Sequence, residues 1–183
     1  MQYRIMLVDD EVNILHALRR ALNGMPESEL EGHSLDIQLF TSPAEALQRA
    51  DYTPYDLVMT DYRMPEMNGV EFLVRLKQVQ PTAMRLILSG YADMEGLIGA
   101  INDAQIFRFL AKPWHDYELR AAVAQALSYR HLLMENLRLA DLARVQQGKL
   151  TRQEMELRRL EEKHPGITKV NWGPDGSVLL DPL

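Results

Sequence analysis

Five short apolar runs alternate with amphipathic segments, and this alternation constrains the fold more than any other feature of the chain. The runs are residues 4–8, 35–40, 55–60, 84–89 and 105–111. Between the first two, the spacing of Val12, Leu15 and Leu18 indicates a helix. Buried strands that alternate with helices predict an α/β fold with a parallel sheet covered on both faces.

Helix-start residues support this assignment. Ser42 is a predicted N-cap, with Pro43 at the first helical position and Glu45 three residues past the cap. A helix near residues 69–78 follows the third run, and Asp93 is placed to cap another after the fourth run.

Composition excludes several classes of protein. The chain has 183 residues, 46% of them hydrophobic, which is enough for a packed core. It has no Cys, so disulfides, Cys-ligated zinc and thiol catalysis are excluded. The net charge of −6 disfavours nucleic-acid binding. No signal peptide or membrane span is predicted, so we expect a cytoplasmic protein.

Reactive side chains follow four of the five runs, at the edge where the carboxyl ends of parallel strands meet. These residues are Asp9, Asp10, Asp61, Ser89 and Lys112. With a strand order of 2-1-3-4-5, the first and third strands are neighbours and three carboxylates crowd one cavity. Such a cluster favours Mg²⁺, a hard cation that also binds phosphates. Because carboxylates serve as phosphoryl-accepting nucleophiles, the pattern predicts an aspartyl-phosphate site.

Each of these residues alone has a simpler structural interpretation. A strand-terminal Asp such as Asp61 is more often a helix cap, and an acidic pair is common in the first turn of a helix. Ser89 before a Gly is ordinarily a turn residue, and Lys112 before a Pro is ordinarily a surface residue. Their joint placement at successive strand ends favours a chemical site.

The stretches VDDE, DLVMTDYRMPEMNG, LILSGYAD and FRFLAKPW, in this order and spacing, resemble the receiver domain of two-component response regulators. The resemblance covers roughly residues 3–130. It implies a flavodoxin-like, doubly wound sheet of order 2-1-3-4-5, within a receiver domain over residues 1–127. Some similar receivers are fused to cyclic-di-GMP phosphodiesterase modules. The residues that follow the receiver are too few for that module, a winged helix or an ATPase, so we expect none of these activities.

The resemblance also implies a role for each strand-end residue. Asp61 is the expected phosphoacceptor. Asp10, helped by Asp9, is expected to hold Mg²⁺ together with Asp61 and the backbone carbonyl of Arg63. Lys112 is the expected phosphate-contacting lysine.

Two further positions match the switch of that family. Ser89 takes the place of the switch hydroxyl and Phe109 that of the switch aromatic, and the Lys112–Pro113 bond is expected to be cis. A phosphoryl group with a charge of about −2 draws the hydroxyl towards it. Phe109 then turns into the vacated space. This alters the face made by the helix predicted after Asp93, the fifth strand and the helix that begins near Asp116.

Residues 128–163 predict a helical extension. From Asp116 to about Lys163 there is no Pro and a single Gly, Gly148, so a continuous helix would reach about 70 Å. A heptad frame puts Asn136, which favours a parallel dimer in register, at an a position. The predicted dimer seam consists of Leu132, Asn136, Leu139, Leu150, Leu157 and Leu160.

Alternatives to this coiled coil stay open. Gln146 and Gln153 occupy d positions, which weakens the prediction of a coiled coil. The alternatives are a helix that folds back on its own receiver and a helix that frays after Gly148. Residues 164–183 predict a terminal β-hairpin around the turn Gly-Pro-Asp-Gly. An isolated hairpin is marginal in water, so we expect it to pack against the partner subunit, the coil or another protein.

We therefore predict a response regulator that is phosphorylated by a histidine kinase or a phosphotransfer protein. It signals through a homodimer and through protein contacts at the switch face or the hairpin, and it is not an enzyme beyond its own phosphorylation and dephosphorylation. One alternative is a coiled-coil scaffold in which phosphorylation is incidental. A remote alternative is a Mg²⁺-dependent phosphohydrolase, which usually has an Asp-x-Asp nucleophile motif where this chain has Asp61-Tyr-Arg.

Overall fold

The computed structural model describes residues 2–90 and 104–167. These residues form a five-stranded parallel sheet of order β2-β1-β3-β4-β5, which confirms the prediction. The strands are β1 (Gln2–Val8), β2 (Ser34–Phe40), β3 (Leu57–Asp61), β4 (Met84–Gly90) and β5 (Arg108–Lys112). β3 begins two residues later than predicted because the Tyr55 N–H donates to Gln80 Oε1 at 2.8 Å.

Helices cover both faces of the sheet. The described helices are α1 (Val12–Asn23), α2 (Pro43–Ala50), α3 (Gly69–Val79), α4 (Asp116–Gln146) and α5 (Arg152–Lys163), with a 3₁₀ turn over Glu27–Leu30. The predicted start of α2 is confirmed, since Ser42 Oγ accepts the Glu45 N–H at 3.4 Å. The helix expected after Asp93 lies outside the described residues.

The core lies on both sides of the sheet. In β1, Ile5 and Leu7 pack with residues of α1 and α4, whereas Met6 and Val8 pack with residues of α2 and α3. Burial on both faces explains why the strands are continuous apolar runs. Polar groups therefore collect at the strand ends.

The chain beyond the sheet forms two helices, so the predicted continuous helix from Asp116 to Lys163 is wrong. α4 ends at Gln146, and Gly148 then adopts a left-handed conformation with φ of 67°, which favours Gly. α5 begins with a capping box in which Thr151 accepts the Glu154 N–H and Glu154 accepts the Thr151 N–H. These stop and start signals outweigh the absence of Pro.

α5 folds back along α4, which is close to the fold-back alternative. Asp141 Oδ1 accepts from Arg144 on its own helix at 2.8 Å and from Arg158 of α5 at 3.2 Å. No residue of α5 is fully buried. The contact between the two helices is therefore shallow and includes an ion pair.

An ion pair anchors α4 to the sheet. Arg130 Nη1 lies 2.6 Å from Asp56 Oδ1, and both side chains are mostly buried. Asp56 Oδ2 also accepts the Arg4 N–H of β1 at 2.6 Å. One carboxylate thus joins the start of β1, the start of β3 and the long helix.

The predicted terminal hairpin falls almost entirely on residues 168–183, outside the described part of the chain. Within the described ranges, no helix is both long and apolar enough to cross a membrane.

Candidate phosphoryl-accepting site

Two buried carboxylates lie side by side at the carboxyl edge of the sheet. Asp9 follows β1 and is 1% exposed, and Asp61 ends the neighbouring strand β3 and is 6% exposed. Unpaired carboxylates are very costly to bury, so a positive charge must lie close by. The predicted convergence is confirmed for Asp9 and Asp61, whereas the third predicted carboxylate, Asp10, is exposed.

Lys112, the last residue of β5, supplies that charge. Its Nζ lies 2.8 Å from Asp9 Oδ2 and 2.5 Å from Asp61 Oδ1. The Lys112–Pro113 peptide bond is cis, as predicted. Two carboxylates against one ammonium leave an excess of negative charge at the site.

Backbone donors hold the outer oxygen of each carboxylate. The Arg63 N–H donates to Asp61 Oδ2 at 2.7 Å, and the Glu11 N–H donates to Asp9 Oδ1 at 2.9 Å. These bonds orient the carboxylates so that their other oxygens face Lys112.

Gly69 closes the loop after β3. Its N–H donates to the Tyr62 carbonyl at 2.9 Å, and a Cβ added at Gly69 would collide with the Asp61 carbonyl oxygen. Asn68 caps α3 by accepting the Glu71 N–H at 3.0 Å. The Met-Pro-Glu-Met-Asn-Gly loop therefore packs closely beneath Asp61.

Burial and pairing act in opposite directions on the ionisation of these groups. Burial raises the pKa of Asp9, and the hydrogen bond from Lys112 opposes that rise. Burial alone would lower the pKa of Lys112, but its hydrogen bonds to Asp61 and Asp9 raise it overall. Lys112 is therefore held in its charged form.

The predicted switch residues lie on β4 and β5, the two strands that follow β3 in the sheet. Ser89 is in β4, beside β3, and the residue is 1% exposed. Phe109 is in β5, paired with Ile87, and packs partly buried against the core on the α2–α3 side of the sheet. Both residues thus lie along the two strands that follow Asp61 in the sheet.

Asp10 is placed differently from the other acids. It is exposed, whereas Asp9 and Asp61 are buried. Among the described residues, no group of three His, Cys, Asp or Glu side chains is arranged to hold a metal ion. The oxygen donors of Asp9 and Asp61 nevertheless suit Mg²⁺ chemically, and both face a cation here.

The residues of the predicted seam do not form one continuous stripe. Leu132, Asn136 and Leu139 lie exposed on α4. Leu150 is buried in the turn between the helices. Leu157 and Leu160 lie on α5, so a single seam through all six residues is not formed, because the chain reverses after Gly148.

Sequence reasoning missed the polar contacts that position the two C-terminal helices. Arg130 pairs with Asp56, and Arg158 pairs with Asp141. Neither pair has a local sequence signal, since each partner lies on a different element. The helix break, in contrast, had a signal in Gly148 followed by the Thr151 capping box.

A family model for the response regulator receiver domain matches residues 5–124. The chain belongs to this family. The matched residues therefore form a receiver domain, which is a signalling domain and not an enzyme. Its fold and Asp-rich strand ends agree with the predicted resemblance.

Relatives of this response regulator are longer proteins. It is 34% identical over 135 residues to the hydrogenase transcriptional regulatory protein HoxA of Bradyrhizobium diazoefficiens, covering 74% of this chain and 26% of HoxA. It is 32% identical over 126 residues to the DNA-binding transcriptional regulator NtrC of Escherichia coli, covering 68% and 25%. The chain thus spans about a quarter of the length of these curated relatives.

A solved structure supports the same assignment. The signal receiver domain of an HD domain-containing protein from Pseudomonas fluorescens is 34% identical, with a TM-score of 0.63, and the match covers 72% of this chain and 98% of that one.

Proposed function

We propose that the Asp61 carboxylate accepts a phosphoryl group from a histidine kinase or a phosphotransfer protein. In that step an Asp61 oxygen bonds to phosphorus while the bond from phosphorus to the donor histidine nitrogen breaks, and the electron pair stays on the imidazole. One observation carries the proposal: a buried carboxylate lies 2.5 Å from Lys112 at the carboxyl edge of a doubly wound sheet.

Magnesium is the cofactor that this proposal requires. Asp9 and Asp61 present hard oxygen donors, and their combined charge exceeds that of Lys112. We infer that these two carboxylates, Asp10 and the Arg63 carbonyl hold the ion. When bound, it supplies positive charge against the charge of the transferring phosphoryl group.

Side chains of the protein bind the phosphoryl group and respond to it. Lys112 binds the phosphoryl oxygens in place of the Asp61 oxygen that it contacts now. The buried Ser89 hydroxyl donates to the same group, and Phe109 turns into the space that Ser89 leaves. Phosphorylation thereby changes the surface around β5 and α4.

The signal is proposed to reach other proteins through contacts of the C-terminal extension and of the switch face around Phe109. On this view residues 1–127 are the receiver domain, residues 128–163 are a helical output segment and residues 164–183 are a separate tail. Leu132 and Leu139 support dimerisation, since both are more than half exposed on α4. A further protein partner would bind at the switch face around Phe109 or at the tail.

Phosphoryl uptake from acetyl phosphate, followed by intact-protein mass spectrometry, tests the proposal. The parent chain gains one phosphoryl group with Mg²⁺ and none with EDTA. Asp61→Asn gains none, whereas Asp51→Asn, the same change at the end of α2, behaves as the parent. Equal uptake by Asp61→Asn, or no uptake by the parent, would overturn the proposal, and the second result would favour the scaffold alternative.

A further inference from the structure

We propose that the homodimer forms through one face of α4 alone, packed against the same face of a second copy. This outer face consists of Tyr129, Leu132, Asn136, Leu139 and Ala143. The proposal rests on the dimerisation proposed above and names its surface, its orientation and the residues that it leaves out.

The outer face is a continuous apolar stripe with one polar residue. At about 100° per residue, its five positions fall within an arc of about 80° around the helix. Tyr129, Leu132 and Leu139 are 53%, 61% and 51% exposed. A contiguous row of half-exposed large apolar side chains is typical of an interaction surface.

Among the described residues, Phe107 contacts the receiver end of this face, where its ring lies 5.4 Å from that of Tyr129, and the other four residues of the face are exposed. The groove between α4 and α5 is lined on the α4 side by Met134 and Asp141 and on the α5 side by Met155 and Arg158. Met134 and Asp141 lie on roughly the opposite side of α4 from the outer face, by the same helical spacing. Nearer the receiver, Arg130 holds α4 to the sheet through Asp56.

The remaining leucines of the predicted seam are excluded from the interface. Leu150 is already buried in the turn, and Leu157 and Leu160 lie on a helix that runs back along the far side of α4. Leu157 and Leu160 therefore cannot extend the outer face of α4, as the predicted heptad frame requires. The interface is therefore shorter than the predicted seam.

Asn136 identifies the occupant as a second copy of this chain. It lies between Leu132 and Leu139 on the outer face, and its Nδ2 donates to the Leu132 carbonyl at 2.9 Å. A docked apolar partner would bury the amide without a complementary group, which is costly. A parallel copy in register instead brings a second Asn136 opposite, with a donor for each acceptor.

The short length of the interface makes the dimer weak. Tyr129 to Ala143 spans about 21 Å of helix, or two heptads, fewer than stable coiled coils usually have. A weak dimer responds to a small change in the receiver, as a phosphorylation-dependent output requires.

Single-cysteine variants test this interface directly, because the chain has no Cys. Leu132→Cys and Leu139→Cys place the thiol on the outer face. Leu157→Cys and Leu160→Cys are matched controls, since these leucines are exposed on α5. Each variant is oxidised in Mg²⁺, with and without beryllofluoride, and covalent dimer is measured on non-reducing gels.

We expect covalent dimer from both outer-face variants in at least one of the two states, and only background from the α5 variants. Adding Asn136→Asp to Leu132→Cys should reduce crosslinking several-fold, because two carboxylates would then be buried together. No crosslinking at Leu132→Cys and Leu139→Cys in either state, or equal crosslinking at Leu157→Cys or Leu160→Cys, would overturn the proposal.

Phosphoryl uptake by the same variants separates this inference from the proposed function. Uptake without crosslinking at the outer face overturns the interface alone. Crosslinking at the outer face without uptake by Asp61 overturns the proposed phosphoryl transfer and leaves the interface standing.

Discussion

Lys112 balances two buried carboxylates, and the charge state of the site depends on it. Its ammonium lies within hydrogen-bonding distance of both Asp9 and Asp61. Its hydrogen bonds to the carboxylates raise its pKa despite burial, so it stays charged. The ammonium therefore competes with any other cation for the same oxygens.

Replacing Lys112 should increase the stabilising effect of Mg²⁺. In Lys112→Met, Asp9 and Asp61 repel each other without a neutralising charge, so the thermal midpoint without Mg²⁺ should fall below that of the parent. Added Mg²⁺ should then raise the midpoint by more than it does in the parent, because binding stabilises the folded state. Differential scanning fluorimetry measures both effects.

Lys77→Met is the matched control, because Lys77 lies in the last turn of α3. Its response to Mg²⁺ should equal that of the parent. A response of Lys112→Met that is no larger than the parent's would contradict the competition between Lys112 and the metal.

At the scale of elements, the Asp56–Arg130 pair attaches α4 to the sheet. Asp56→Asn should lower the free energy of unfolding by about 2–3 kcal/mol, because a charge-assisted hydrogen bond is lost and Arg130 stays buried. Urea denaturation measures the change. Asp36→Asn is the control, since its 3.7 Å pair with Arg4 is exposed and should contribute about 0–1 kcal/mol.

Equal effects of the two substitutions would contradict this account of α4. They would mean that the apolar contacts of Leu119 and Val123 alone hold the helix in place.

The start of α5 should depend on pH through Glu154. The N–H and hydroxyl of Thr151 donate to this carboxylate and hold its pKa below the usual 4.5. A carboxyl whose folded-state pKa is lowered stabilises the fold above its unfolded-state pKa, and that contribution is lost as the pH falls through the folded-state value. The capping box should therefore loosen in acid.

Amide hydrogen exchange of residues 154 and 155, whose N–H groups bond to Thr151, measures this loosening after correction for intrinsic rates. Protection should fall as the pH drops below about 4.5 in the parent. Glu154→Gln keeps a neutral acceptor in the capping box and should show a smaller change. An identical pH dependence in both proteins would rule out Glu154 as the cause.

The elements differ in how far the sequence predicts them. The strands and the start of α2 were predictable because their signals are local: apolar runs, Ser42 and Pro43. The break after α4 also has local signals, Gly148 and Thr151, which outweigh the absence of Pro. The direction of α5 was not predictable, since it depends on contacts between separate helices such as Asp141 with Arg158.

At the scale of the whole molecule, the candidate site and the outer face of α4 are linked by a short path. Lys112 ends β5, and α4 begins four residues later at Asp116. In the proposed function, α4 carries a shift of Lys112 or Phe109 on phosphorylation to Leu132 and Leu139. Strand-end residues alone predicted the site, whereas this link required the observed course of α4.

The most direct test of the account is the solution mass by light scattering in Mg²⁺, with and without beryllofluoride as a phosphoryl mimic. The parent chain and Asp61→Asn are compared at the same concentrations. The account predicts that beryllofluoride changes the mass of the parent and leaves that of Asp61→Asn unchanged. An unchanged mass in the parent, or the same change in Asp61→Asn, would contradict control of assembly by Asp61.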